Sequence, residues 1–263
     1  MGAVLSNRMA ARLSDVDPIH WATPIALALV VFIIYTVDRL LDVRKDDTSR
    51  QPLTLRHQFH RQHATLLWRI VGVATALTLV LVFFLPVSVV KFGIVLGGIC
   101  AAYVGAVFRL PARHPALLLK EPLVAVLYTA GIWGSVWVQR PAVSRIEMAE
   151  CLMFMGIAFQ NLVLFAVMEQ YENQSDQAMF SLATHWGQDR CDTILRWLTF
   201  GIVAVGFSLC FLTDDRFAQR SALMLGLMSL TLYGIQRYPA YFLRNERYRW
   251  LGDGVFWMPA LVL

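Results

Sequence analysis

Tyr35-Thr36-Val37-Asp38-Arg39-Leu40-Leu41-Asp42-Val43-Arg44-Lys45-Asp46-Asp47 begins where a run without charge, Trp21 to Val37, gives way to ionised side chains. If the helix continues through it, Asp38 and Asp42 share one face, one turn apart. Two carboxylates aimed the same way at a membrane–water boundary repel each other unless a cation sits between them. Hard divalent ions such as magnesium take oxygen ligands of this kind and keep a substrate phosphate in their shell. The alternative is that the charges only mark the end of a membrane helix, with Arg39 and Arg44 neutralising the aspartates. The rest of the chain bears on that choice.

Of the 263 residues, 57% are hydrophobic and 16% charged, against about a quarter charged in an ordinary soluble domain. The apolar residues fall in long blocks, so the class is an all-α, polytopic membrane bundle. Blocks near the length that a spanning helix needs lie at 20–38, 66–88, 91–109, 118–138, 149–169, 194–212, 220–237 and 249–263. The reading is about eight transmembrane helices in one domain, 1–263. Helices are the default because lipid offers the backbone no other partners. Cys100, Cys151, Cys191 and Cys210 have no paired spacing and read as buried small hydrophobes. No removable signal peptide is visible in Met1–His20.

Lysine and arginine set the orientation. With the end of the first span cytoplasmic, 15 of the 23 basic residues fall on that side and seven on the other, leaving Arg69 inside a helix. Arg237, Arg244, Arg247 and Arg249, interleaved with Tyr238, Tyr241 and Tyr248, belong to this topology signal rather than to a nucleic-acid surface. No nucleic-acid partner is expected. The setting is a plasma or bacterial-type inner membrane with the acidic motifs facing the cytoplasm. A second acidic helix end, Glu169-Gln170-Tyr171-Glu172-Asn173-Gln174-Ser175-Asp176, closes the fifth block on the same side. Glu169, Glu172 and Asp176 form one helical stripe, with Asn173 next to it. Two acidic ends on one side imply a shared polar cavity, and ionisable groups at membrane depth are functional candidates by default.

This pattern resembles the UbiA superfamily of intramembrane prenyltransferases. The family's first motif is Asn-Asp-x-x-Asp-x-x-x-Asp, and here the matching positions read Ile34-Tyr35-x-x-Asp38-Arg39-x-x-Asp42. The last two acidic positions match and the first two do not. Arg50-Gln51-Pro52-Leu53 is similar to the family's Arg-Pro-Leu segment with one residue inserted. Ser181-Leu182-Ala183-Thr184-His185-Trp186-Gly187 fits the tail of the second motif. Aligned through that tail, its two aspartates fall on Gln170 and Gln174, with Glu169 and Asn173 one residue earlier. The family usually has nine spans with the first motif closing the second. Here that motif closes the first predicted span, as though an N-terminal helix were absent from this sequence or lost from this branch.

The resemblance implies a UbiA-like transferase that moves an isoprenyl group from its diphosphate to a lipophilic acceptor, aromatic or lipid, with Mg2+. It implies catalytic roles for Asp38, Asp42, Glu169 and Asp176, with Glu172 added to these as a metal ligand. Arg39, Arg44, Lys120 and Asn173 become candidates for substrate binding. Lys120-Glu121-Pro122 begins a helix, where free N–H groups also favour an anion. Gln160-Asn161, polar at membrane depth, reads as a helix–helix hydrogen bond or, for Asn161, as a contact to the acceptor. Trp133, Trp137, Tyr128, Tyr103 and Phe165 line a prenyl tunnel or simply pack. His57, His60 and His63 form a cationic surface or a transition-metal site. The losses in both motifs leave a second reading, an inactive isoprenoid- or lipid-binding protein or partner subunit with the same fold. A transporter is a third.

Overall fold

The computed structural model describes residues 1–46, 62–111, 114–172 and 181–263. Among these the chain is all-helical, without strands. Six helices are long and apolar enough to cross a membrane. They are α2 (Ala22–Asp46), α3 (Ala64–Val82), α4 (Val87–Arg109), α5 (Pro115–Trp137), α6 (Arg145–Glu172) and α8 (Gln188–Leu212). The shortest, 19 residues, rises about 28 Å, close to the thickness of a hydrocarbon core. The chain reads as a multi-pass integral membrane protein.

The other helices of five or more residues are α1 (Gly2–Leu13), the short α7 (Leu182–Trp186), α9 (Arg216–Arg237) and α10 (Arg247–Val255). The seventh predicted block is α9, a helix of spanning length. Arg216, Gln219 and Arg220 at one end and Gln236 and Arg237 at the other keep it less apolar than the six. The eighth block does not form one helix. It breaks into α10 and a tight turn at Met258–Leu261 that contains Pro259. Nine residues of α10 rise only about 14 Å, too little to span. Helix α1, by contrast, has no counterpart among the predicted spans, because Arg8, Arg12 and Asn7 break up any long apolar block.

The helices fall into two compact units. One holds Ile19–Arg109, and there α2 packs against α3. Most of its apolar side chains point outward, Val73, Leu79, Ile94 and Val95 among them, as lipid-facing residues do. The hydroxyls of Thr75 and Thr78 donate to the carbonyls one turn back, at 2.8 Å. That satisfies them without any outside partner.

The other unit holds Met1–Pro18 and Leu110–Leu263. At its centre runs α6, packed by α5, α8, α9 and α10. Phe154, Ile157 and Met168 are buried on one side of it and Val163 on the opposite side, so it shows no single amphipathic stripe. Gln160 ties three helices together. Its Nε2 donates to Thr199 Oγ1 and to the Ser229 carbonyl, and Ser229 Oγ donates to its Oε1 at 2.7 Å. The helix–helix reading of Gln160 is met. Where α8 crosses α9, a Cβ on Gly206 would lie 2.8 Å from the Ala222 carbonyl oxygen, the close approach that small residues permit. Helix α5 contains a π turn, Ala130–Gly134, which shifts its carbonyls out of the regular ladder. Asn7 of α1 answers it, with Nδ2 donating to the Ile132 carbonyl at 2.7 Å and to Ser135 Oγ at 3.0 Å.

Candidate functional site

Each unit carries one of the acidic helix ends. In the first, α2 continues to Asp46, so Asp38 and Asp42 do lie one helical turn apart. Asp38 and Arg39 are half-buried, and Thr36 and Leu40 are buried on the same turn. The Arg39 guanidinium lies over the Tyr35 ring, 5.4 Å from its centroid. Asp42 and Arg44 are placed on this helix by its backbone. His57 and His60 lie outside the described residues.

In the second unit the end of α6 meets the start of α10. The chain enters α10 through two consecutive left-handed residues, Asn245 and Glu246, with φ of 56° and 52°. For a side chain as large as Glu246 that conformation costs about 1–2 kcal/mol. It brings a three-residue cluster onto α6. Arg249 pairs with Glu169 at 2.9 Å and with Glu246 at 3.1 Å. Tyr248, fully buried, donates its hydroxyl to Glu172 at 3.2 Å and stands edge-on to Phe165. Burial, reinforced by the Glu172 and Glu169 carboxylates against the opposing Arg249 charge, pushes the Tyr248 phenol well above its usual range. Burial works against the Arg249 charge, but Glu169 outweighs it and the guanidinium is held above its ordinary value. Tyr248 is thus a fixed donor and Arg249 a fixed cation.

Helix α5 contributes the other side of this end. Lys120 is half-buried. Its neighbour Glu121 is buried, with Oε1 accepting the Leu182 N–H at 3.3 Å and Oε2 buried with no donor among the described residues. Leu182 opens α7, whose start is fixed by a capping box. Ser181 Oγ accepts the Thr184 N–H, and Thr184 Oγ1 accepts the Ser181 N–H at 2.8 Å. Gly187, at φ +79°, ends it in a conformation that glycine adopts without strain. The segment Ser181–Gly187, matched to the tail of the second motif, is therefore a defined structural piece.

The predicted residues divide as follows. Glu169, Glu172 and Lys120 lie at one end of one unit, and Glu121 and Glu169 are within electrostatic range of each other. Asn173 and Asp176 lie outside the described residues. Asn161 sits more deeply, buried with Oδ1 unpartnered among the described residues. It is pressed against Gly252, where a Cβ would come within 2.7 Å of that oxygen. Among the predicted aromatics, Trp133 and Trp137 pack on each other, and Tyr128 packs against Phe154 and Phe256. Among the described residues, no three His, Cys, Asp or Glu side chains gather closely enough to hold a metal ion.

Sequence reasoning missed Glu121 and the Tyr248–Arg249 pair. Glu121 carries a weak signal, an acid in the first turn of an apolar helix beside Pro122. Arg249 is one of four arginines in a positive-inside stretch, and nothing in the spacing separates it from the others. Comparison with known protein families, curated proteins and solved structures yields no match.

Proposed function

We propose that this chain is a UbiA-like membrane-embedded transferase, which moves an isoprenyl group from its diphosphate to a lipophilic acceptor. The observation that carries the reading is the pair of acidic helix ends, Asp38/Asp42 on α2 and Glu169/Glu172 on α6, where the family's two motifs fall. The finer fold assignment, a UbiA-like bundle with its acidic ends toward the cytoplasm, rests on the same pair and on the distribution of lysine and arginine.

The residues fit magnesium in donor type. Glu121 keeps a buried carboxylate oxygen without a partner among the described residues, and magnesium is commonly held by one or two carboxylates, with phosphate oxygens and water completing its shell. Bound there, the ion would stabilise negative charge growing on the departing diphosphate. In the same unit Glu169 is a further carboxylate candidate, joined by Asp176 from the sequence, and in the other unit Asp38 and Asp42 are candidates in their own right. Arg39, Arg44 and Lys120 supply positive charge to the diphosphate. As the allylic carbon–oxygen bond breaks, the bonding pair leaves with the diphosphate. The acceptor then attacks the allylic cation and loses a proton. Apolar helix faces keep water from that cation.

The pairing of Glu169 with Arg249 and of Glu172 with Tyr248 favours a second reading, a protein that binds an isoprenoid without turning it over. One experiment separates the two. Binding of a labelled isoprenyl diphosphate to the detergent-purified chain is measured with and without magnesium, for wild type and Asp38→Asn/Asp42→Asn. Binding that requires both magnesium and the aspartates supports the transferase and calls for an acceptor screen. Tight binding indifferent to both selects the second reading. No binding by folded protein overturns both.

A further inference from the structure

We infer that residues 237–250 form a binding edge for anionic phospholipid, where Arg237, Arg244 and Arg247 take the headgroup phosphate and Tyr238, Tyr241 and Trp250 pack beside it. The place of this segment follows from α6. That helix has 28 residues and rises about 42 Å, more than the thickness of a hydrocarbon core, so its end stands among the headgroups. Arg249 pairs with Glu169 at 2.9 Å and Tyr248 donates to Glu172 at 3.2 Å near that end, which fixes the start of α10 at the same level. The chain reaches α10 from Arg237, the last residue of α9, through one helical turn at Pro239–Phe242 and the left-handed Asn245 and Glu246. Helix α9 itself packs against α10, so both ends of the segment are anchored.

Four arginines that look alike in the sequence differ in the structure. Arg249 is taken up by Glu169 and by Glu246, the one acid of the segment. Arg237 and Arg244 are exposed and Arg247 is half-buried, and none of the three forms an ion pair with a described residue. The Arg247 guanidinium lies 4.7 Å from the centroid of the Tyr241 ring, an attraction that keeps the charge beside an aromatic face. Tyr238, Tyr241 and Trp250 are 65%, 57% and 80% exposed. Amphipathic rings of this kind, open at headgroup depth, are the side chains that membrane interfaces favour. A guanidinium offers a phosphate two parallel N–H donors. Three cations without a protein acid attract a lipid of net negative charge, whereas a zwitterionic lipid carries its own ammonium beside the phosphate.

The test is binding of a fluorescent short-chain phosphatidylglycerol, and of its phosphatidylcholine counterpart, to the detergent-purified full chain at one fixed ionic strength, read by anisotropy. Wild type is expected to prefer phosphatidylglycerol. Arg237→Gln/Arg244→Gln/Arg247→Gln should lose that preference by about fivefold for each charge removed, the equivalent of about 1 kcal/mol per arginine at a membrane surface. Phosphatidylcholine binding and melting temperature should stay those of wild type. A wild type without preference, or a triple variant that keeps it, overturns the inference. So does displacement of phosphatidylglycerol by millimolar inorganic diphosphate, which would give the arginines to a free anion. Should the triple variant not fold, the exposed Arg244→Gln is read alone, with a loss of about fivefold expected and unchanged preference again overturning the inference. Trp250→Ala keeps every charge and is expected to weaken both lipids alike; unchanged binding of both overturns the part given to the rings.

Discussion

Helix α6 carries two pairs of glutamates with the same spacing, Glu147/Glu150 near its start and Glu169/Glu172 at its end, and the two ends treat them differently. At the start both are buried. Glu147 accepts from Ser14 Oγ at 2.6 Å, from Arg140 at 2.9 Å and from the Ser144 N–H, and Ser221 Oγ lies within 2.9 Å of both Glu150 oxygens. At the other end Glu169 is half-exposed and Glu172 exposed, each with one partner group from α10. Acids enclosed by donors from three different segments hold a fold together. Acids left half in solvent, with an orphaned carboxylate nearby, are free to bind something else. Spacing alone does not tell these cases apart; the surroundings do.

The largest expected effect tests the closed end. Glu147→Leu strands the Ser14 hydroxyl and the Ser144 N–H and takes the partner from Arg140, whose side chain is 26% exposed, and each buried polar group left unmatched costs about 1–3 kcal/mol. The melting temperature in detergent is therefore expected to drop sharply, or the protein to be lost on expression. A variant as stable as wild type would mean that this end is no more structural than the other. Next in size is Asn7→Leu, which leaves the Ile132 carbonyl and Ser135 in the π turn without their donor. Leaving a buried polar group unmatched costs about 1–3 kcal/mol, read as a loss of thermal stability with isoprenyl diphosphate binding retained at low temperature.

These two variants also mark how far the sequence could be read. The six apolar helices were legible because lipid demands about twenty apolar residues in a row, and Ala22–Asp46 or Arg145–Glu172 supply them visibly. Helix α1 was not legible. Its twelve residues mix small packing positions such as Ala10 and Ala11 with the polar Asn7, and Ser14 follows directly. The partners of Asn7 and Ser14 include Ile132 and Glu147, which lie 125 and 133 residues away in the chain. The last block, 249–263, was misread because Pro259 and the left-handed pair Asn245–Glu246 act on direction, which an apolar count does not sense. At the candidate site, the acids at helix ends were visible as local patterns. Glu121, Tyr248 and Arg249 acquire meaning only from tertiary neighbours, as does the contact of Asn161 with Gly252.

A smaller effect is expected at the open end from Tyr248→Phe, which keeps the ring against Phe165 and removes only the donor to Glu172. A single hydrogen bond of this kind contributes about 1 kcal/mol, so the melting temperature should fall by a few degrees. If the drop matches that of Glu147→Leu, the contrast between the two ends fails.

The smallest stability effect belongs to Glu169→Gln, and it is the sharpest test of the comparison. Glutamine still offers an oxygen to Arg249, and Arg249 keeps Glu246 at 3.1 Å. The Glu169 side chain is 38% exposed, so solvent screens the pair, which should contribute no more than about 1 kcal/mol. If this end is a second structural clamp, that small change in melting temperature is all that Glu169→Gln should produce, and ligand binding should follow wild type. If it is a binding site, stability stays within the same margin while magnesium-dependent binding of an isoprenyl diphosphate falls by about tenfold or more, because the lost charge faced the ligand rather than the fold. Stability and binding then separate at Glu169, whereas at Glu147 the fold itself is what fails.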